Sequence, residues 1–101
     1  MAEWVQMNPA VKRRIVLDGE KMMVVEVHFE ANGVVGDHSH PHEQITQVRQ
    51  GRIKLTVNGV PHILAAGDIA RVPGNVVHSA EALEASELYD VFSPPREDFR
   101  A

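Results

Sequence analysis

The sequence of 101 residues contains no cysteine, which excludes disulfide bonds and thiol chemistry. It also lacks an apolar run of the roughly 20 residues that a membrane-spanning helix requires. Its first residues, MAEWVQMNPAVKRR, do not contain the apolar core of a secretion signal. These absences predict a cytoplasmic protein that does not enter a membrane.

Positive charge is also scarce. The net charge is −4 at pH 7, and the one basic run is Lys12-Arg13-Arg14. Nucleic-acid binding requires a basic face, and membrane-surface binding requires a basic amphipathic segment. The composition therefore predicts a protein that binds neither nucleic acid nor membrane.

Aromatic residues make up only 5% of the chain, whereas hydrophobic residues together make up 44%. We therefore expect a folded core built mostly from Val, Ile, Leu and Met, in one domain that spans residues 1–101. The five aromatic residues are Trp4, Phe29, Tyr89, Phe92 and Phe99.

Short strand-like runs separated by turn signals fill the chain. Asn58-Gly59 is the strongest hairpin signal, and it follows a run in which Ile53, Leu55 and Val57 alternate with polar residues. No window reads as an amphipathic helix, although residues 80–88 have the composition for at most a turn or two. About eight or nine strands at this spacing predict an all-β sandwich or barrel, whose interior can hold a ligand.

Three of the six histidines lie within five positions, in the segment DHSHPHEQ. On a regular strand His38, His40 and His42 would share one face, although Pro41 makes regularity beyond residue 40 doubtful. Imidazoles at this spacing can converge on one ion of Zn, Cu, Fe or Ni. The competing interpretation is a set of surface histidines in a polar loop.

A metal site requires three or four ligands, so neighbouring strands must supply the others. Glu43 and Gln44 follow the cluster directly, and His78 follows the turn signal PGNVV. His28 and His62 have no such context and are predicted to be ordinary strand residues.

The segment around the histidines resembles the first motif of the cupins, G-x5-H-x-H-x(3,4)-E-x6-G. His38 and His40 occupy the histidine positions, Gln44 stands at the glutamate, and Gly51 closes the motif. The leading glycine is displaced, because position 32 is Asn and Gly33 follows.

The segment GDIARVPGNVVH resembles the second cupin motif, G-x5-P-x-G-x2-H-x3-N. Gly67, Pro73 and His78 fit it. Asn75 stands at the second glycine, where it tolerates positive φ better than other non-glycine residues. The final Asn is replaced by Ala82.

The resemblance implies a single-domain cupin jelly-roll β-barrel with motifs at about 32–51 and 67–82. It further implies one divalent ion (Ni, Zn, Mn, Fe or Cu) and a homodimer formed through sheet edges. Glu43 is the rival to Gln44 as a ligand, and His42 is either a residue beside the ligands or simply exposed. The implied ligands are His38, His40, Gln44 and His78.

The C-terminal segment DVFSPPREDFR resembles one cupin group, the pectin-degradation proteins, which convert 4,5-unsaturated uronates to linear keto acids. This resemblance implies an isomerase or tautomerase that acts on a sugar acid. Asp90, Phe92 and Arg96 match pocket residues of that group, with Asp90 moving a proton, Arg96 pairing with a carboxylate and Phe92 packing on the sugar.

Other interpretations stay open. Asp90 could be a solvated strand residue, Phe92 a core residue, and Arg96 a surface cation paired with Glu97 or Asp98. At the level of function, the alternatives are a metal-dependent cupin dioxygenase, another sugar isomerase, and a cupin that binds a small ligand without catalysis.

Overall fold

The structure, a computed structural model, describes residues 3–100, which form ten strands and one short 3-10 turn at Glu97–Phe99. Within this part of the chain, no helix has the length and apolar character needed to cross a membrane. The strands are β1 (Val5–Asn8), β2 (Val11–Asp18), β3 (Met23–Phe29), β4 (Val34–His38), β5 (Glu43–Gln50), β6 (Arg52–Val57), β7 (Val60–Ala65), β8 (Ile69–Val72), β9 (His78–Ala82) and β10 (Ser86–Ser93).

The strands form two antiparallel sheets. The six-stranded sheet has the order β1-β2-β3-β10-β5-β8, and the four-stranded sheet has the order β4-β9-β6-β7. This confirms the predicted all-β jelly roll. The expected count of eight or nine strands is too low, because β1 lies in an N-terminal segment for which no strand was predicted.

The core lies between the sheets and follows the strand alternation. Val25, Val27 and Phe29 of β3 are buried, and so are Ile53 and Leu55 of β6. The alternation predicted for β6 is therefore confirmed. Each such side chain contributes about 1.5–3 kcal/mol by leaving water.

Residues 80–88 form no helical turn, so that expectation is wrong. Their first residues complete β9, their last residues begin β10, and a bend joins the two strands. The Ser86 hydroxyl fixes the bend, since it accepts a hydrogen bond from the Arg52 amide (3.0 Å) and donates one to the Glu84 carbonyl (2.8 Å). Strand pairing here outweighs the local helix propensity.

Candidate metal centre

Two strands and one loop bring three histidine rings together. His38 on β4 and His78 on β9 are direct partners in the antiparallel register, with ring centroids 4.2 Å apart. His40 lies in the loop after β4, with its ring centroid 4.9 Å from that of His78. One nitrogen from each ring lies within 4.8 Å of the other two, which is close enough for one ion to contact all three.

A regular strand would place His38, His40 and His42 on one face, but β4 ends at His38, two residues before the point at which Pro41 made regularity doubtful. Pro41 has no N–H for a sheet ladder, and the segment runs as a loop instead. The turn after β8 holds this loop, because the Asn75 amide donates to the His40 carbonyl at 2.7 Å. Asn75 adopts φ 64°, as expected for an Asn at the second glycine of the motif.

All three rings contact a backbone carbonyl through Nδ1. The partners are the carbonyls of Gly36 for His38 (2.8 Å), of His42 for His40 (3.1 Å) and of Val76 for His78 (2.9 Å). A carbonyl can only accept, so each contact places the proton on Nδ1. Nε2 is then left with the lone pair that a metal ion requires.

Each of the two ring nitrogens of His40 faces a hydrogen-bond acceptor, although a neutral ring carries only one N–H. Its Nε2 lies 3.0 Å from Gln44 Oε1, while its Nδ1 faces a carbonyl. Burial, followed by the charge of Arg96, lowers the pKa of His40 to about 4, so the ring is neutral at pH 7 with a single N–H. One ring nitrogen therefore faces an oxygen without a proton between them, which a cation at Nε2 would resolve.

His78 supplies a second observation of the same kind. Its Nε2 is buried and has no hydrogen-bond partner among the described residues. A buried polar atom without a partner is costly unless another group satisfies it. Three imidazoles that converge within 4.8 Å, with Nδ1 of each on a backbone carbonyl, match a divalent transition metal, so the residues present fit such an ion.

Gln44 and Glu43 point to opposite sides of β5. Gln44 is buried, and its Oε1 faces His40, while its Nε2 donates to Thr46 Oγ1 (2.9 Å) and Asp90 Oδ1 (3.1 Å). The side chain of Glu43 is 51% exposed and pairs with Arg71 at 2.6 Å on the outer face. Of the two rival ligands, Gln44 is therefore the one that faces the histidines.

His42 lies beside the cluster and does not belong to it. Its ring packs edge-on against Phe92, with the centroids 6.4 Å apart. Its Nδ1 is buried without a partner among residues 3–100. His62 is exposed on β7, and His28 pairs with Glu26 outside the core, so the structure places both away from the three-histidine group.

A cavity of about 230 Å³ opens between the sheets beside the histidines. Asp90 lies in its wall and accepts hydrogen bonds from Thr46 Oγ1 (2.6 Å) and Gln44 Nε2 (3.1 Å). Burial raises the pKa of Asp90 to about 6, against the opposing effects of these two hydrogen bonds and of the charge of Arg96. At neutral pH this carboxyl group is therefore close to the point at which it gains or loses a proton.

Phe92 and Arg96 line the same cavity. The Phe92 ring stands edge-on to His40, with centroids 5.6 Å apart, and the Arg96 guanidinium lies 4.9 Å above the Phe92 ring. Arg96 also donates to both carboxylate oxygens of Asp98, from Nε at 3.1 Å and from Nη2 at 2.9 Å. Of the seven residues that the resemblance implies as ligands or pocket residues, six line this cavity, and the seventh, His40, contacts Gln44, His78 and Phe92 of its lining.

Three further residues that line this cavity are absent from the sequence predictions, namely Arg13, Thr46 and Phe99. A signal existed for Arg13, because strand alternation puts it on the face of Val11 and Ile15. In the sequence that signal is masked, because Arg13 stands in the basic run Lys12-Arg13-Arg14. Phe99 lies in the 3-10 turn, where no periodic pattern could place it.

Comparison with known proteins gives a consistent result. The family model for the cupin domain matches residues 25–92. The chain is 35% identical over 98 residues to the pectin degradation protein KdgF of Dickeya dadantii, covering 95% of this chain and 89% of that protein.

Solved structures agree with this similarity. The structure of KdgF from Halomonas sp. matches with a TM-score of 0.90 at 36% identity, over 95% of this chain and 89% of that one. An RmlC-like cupin from Shewanella frigidimarina matches with a TM-score of 0.91 at 34% identity, over 97% and 88% of the two chains.

Proposed function

The chain belongs to the cupin family, and on that basis we propose that it converts a 4,5-unsaturated uronate from pectin or alginate breakdown to its linear keto form. The reaction is an isomerisation that depends on one divalent ion held by His38, His40, His78 and Gln44. The observation that carries the proposal is that the three-histidine group and the buried carboxyl group of Asp90 meet at one cavity, in a chain similar to pectin degradation proteins.

The reaction requires a proton to move within the substrate. The ring C–O bond at C1 breaks, the C1 hydroxyl loses its proton and becomes an aldehyde, and the ring oxygen becomes the C5 ketone as C4 gains a proton. Atoms balance without an oxidant or a second substrate. When bound, the ion supplies Lewis-acid polarisation of a substrate oxygen.

Asp90 is the proposed proton carrier. A general acid or base is most effective when its pKa lies near the working pH. The pKa of about 6 meets that condition. The Thr46 hydroxyl and the Gln44 amide both donate to Oδ1, which fixes the carboxyl group and leaves Oδ2 for exchange with the substrate.

Arg96 and Phe92 are the proposed positioning contacts. Arg96 presents a planar fork of donors that suits a carboxylate, although Asp98 occupies two of those donors in the structure. The substrate carboxylate would therefore exchange with that of Asp98. Phe92, fixed edge-on against His40, offers its ring to the sugar.

The direct test of the proposed chemistry compares Asp90→Asn with the wild type. Purified protein is incubated with the unsaturated uronate monomer, and proton NMR follows the loss of the vinyl signal. We expect Asp90→Asn to keep its metal and to lose about 100-fold or more in turnover. Asp18→Asn, which removes an exposed carboxylate paired with Arg100, serves as the matched control and stays fully active.

A fully active Asp90→Asn variant would remove Asp90 from the mechanism. Wild-type protein that contains metal but does not accelerate loss of the vinyl signal would contradict the proposed reaction. Oxygen uptake on a substrate panel would then test the dioxygenase alternative.

A further inference from the structure

A second arginine, Arg13, lines the same cavity. Arg13 lies on β2, in register with the buried Val27 of β3. Neighbours in register point to the same side of a sheet, and Arg13 accordingly lines the cavity. Lys12, next to it in sequence, points outward and lies 4.7 Å over the Trp4 ring.

Phe99 links the two arginines of the cavity. The Arg13 guanidinium carbon lies 3.9 Å from the Phe99 ring centroid, and that of Arg96 lies 4.1 Å from the same centroid. Phe99 in turn stands edge-on to Phe92, with centroids 5.7 Å apart. The two guanidinium groups therefore lie on opposite faces of the Phe99 ring, and both line the cavity, which attracts an anion.

The two guanidinium groups differ in their hydrogen bonds. Arg96 is paired through two donors with Asp98, whereas no hydrogen bond or ion pair within residues 3–100 involves the Arg13 side chain. A guanidinium has five N–H donors, so Arg13 is a half-buried cation with unused capacity. Burial and then the charge of Arg96 lower the pKa of Arg13, and Asp98 acts in the opposite direction.

Asp98 thus lies within electrostatic range of both arginines. Hydrogen bonds from Arg96 hold its pKa below the ordinary value, so it is ionised at neutral pH. Its side chain is 59% exposed, and an exposed ion pair contributes little to stability. A carboxylate that enters the cavity meets the unused donors of Arg13 and the fork of Arg96 in its lining, and it can displace the exposed Asp98 at small cost.

We propose that Arg13 and Arg96 form one carboxylate-binding site, in which Arg13 determines the preference for sugar acids over neutral sugars and Asp98 is the internal carboxylate that the ligand displaces. The proposal deepens the proposed function and rests on it for the choice of a uronate as ligand. Arg13 is assigned here to binding the substrate, and no step of the chemistry is assigned to it.

The test measures binding without turnover. Galacturonate carries the carboxylate but lacks the 4,5 double bond, and galactose is its neutral analogue. Isothermal titration calorimetry with the metal-loaded protein gives the ratio of the two affinities. We expect the wild type to favour galacturonate and Arg13→Gln to lose about 10- to 100-fold of its galacturonate affinity, with galactose binding unchanged.

Three further variants sharpen the result. Lys12→Gln removes the same charge from the neighbouring outward position and keeps the wild-type preference. Asp98→Asn removes the internal carboxylate and binds galacturonate up to about fivefold more tightly. Arg13→Lys keeps the charge but lacks the planar fork of donors, so its galacturonate affinity should fall between those of wild type and Arg13→Gln. Such a graded loss separates weaker binding from failure to fold.

Equal galacturonate affinity in wild type and Arg13→Gln would overturn the proposal, as would a wild type that does not favour galacturonate over galactose. The proposed reaction can fail independently. If the unsaturated uronate is not converted while Arg13→Gln still loses galacturonate binding, the carboxylate site stands and the assigned chemistry does not.

Discussion

At the residue scale, each histidine of the cluster has one ring nitrogen held by a carbonyl two residues away in sequence. The Nδ1 contacts of His38, His40 and His78 are therefore local, and they orient all three Nε2 atoms before any ion arrives. Such preorganisation lowers the cost of binding. The spacing of the histidines predicted which residues these are, but their tautomers follow only from the contacts.

The choice between Glu43 and Gln44 also belongs to the residue scale. From the sequence it depended on motif spacing, whereas in the structure it follows from the side of β5 on which each lies. We expect Gln44→Ala to lower metal affinity about 10- to 100-fold, because it removes an oxygen that faces His40 and frees Asp90. Glu43→Ala, which breaks only an exposed ion pair, should retain wild-type affinity.

Competition against a metal-sensitive dye measures both affinities. The reverse order, with Glu43→Ala the weaker binder, would show that the loop rearranges around the ion and that Gln44 is not a ligand.

At the element scale, the turn after β8 supports the loop that carries His40. A Cβ built on Gly74 would lie 2.5 Å from the Pro41 carbonyl oxygen, so nothing larger than glycine fits without a shift of the loop. We expect Gly74→Ala to lose about 1–3 kcal/mol of stability and to bind metal more weakly.

Gly36→Ala is the matched control, because its Cβ would meet no atom within 4 Å. Thermal unfolding and the metal content of the two variants check this prediction. Unchanged metal content in Gly74→Ala would show that the turn does not position His40.

Elements differed in how far the sequence could predict them. The alternation of Leu88, Asp90 and Phe92 correctly indicated one shared face of β10, since all three line the cavity. β1 was not predicted, because it is an edge strand of four residues whose partner β2 defines it. Residues 80–88 have the composition of a helix, but they form parts of β9 and β10 because these strands pair with distant strands.

At the scale of the whole molecule, one buried carboxylate ties together strands of the six-stranded sheet. Glu26 on β3 has a side chain that is only 7% exposed, and it pairs with Arg14 of β2 at 2.8 Å and with His28 at 2.8 Å. Burial acts to raise the pKa of Glu26, but the hydrogen bonds from His28 and Arg14 and the charge of Arg14 outweigh it, so the pKa is lowered.

A carboxylate with a lowered pKa in the folded state adds stability above its unfolded pKa, and this contribution is lost as the pH falls through the folded value. We expect Glu26→Gln to be about 1–3 kcal/mol less stable than wild type at pH 7. The difference should shrink below pH 4.5, the ordinary value for Glu, and vanish at more acidic pH.

Urea unfolding of metal-free protein at several pH values checks this expectation. Glu30→Gln, which removes an exposed charge, is the control and should follow the wild type. A Glu26→Gln deficit that does not change between pH 7 and pH 3 would mean that packing, and not ionisation, causes it.

The wider organisation of the molecule was predictable only in part. The strand-like runs and the two cupin-like motifs were sufficient to predict the jelly roll, because the runs and the motifs are local patterns that can be read from the sequence. The homodimer, the single domain over residues 1–101 and the cytoplasmic location stay predictions. The paired arginines of the cavity come from β2 and the C-terminal turn, and such distant residues meet only through the fold.

The measurement that tests the central account most directly is the rate of conversion of the unsaturated uronate against metal content. Protein as purified, protein stripped with a chelator, stripped protein reloaded with Ni²⁺, Zn²⁺ or Mn²⁺, and His78→Ala are compared by NMR and elemental analysis. We predict that the rate follows occupancy up to one ion per chain, and that stripped protein and His78→Ala are inactive. Conversion at the wild-type rate by stripped protein would contradict the account.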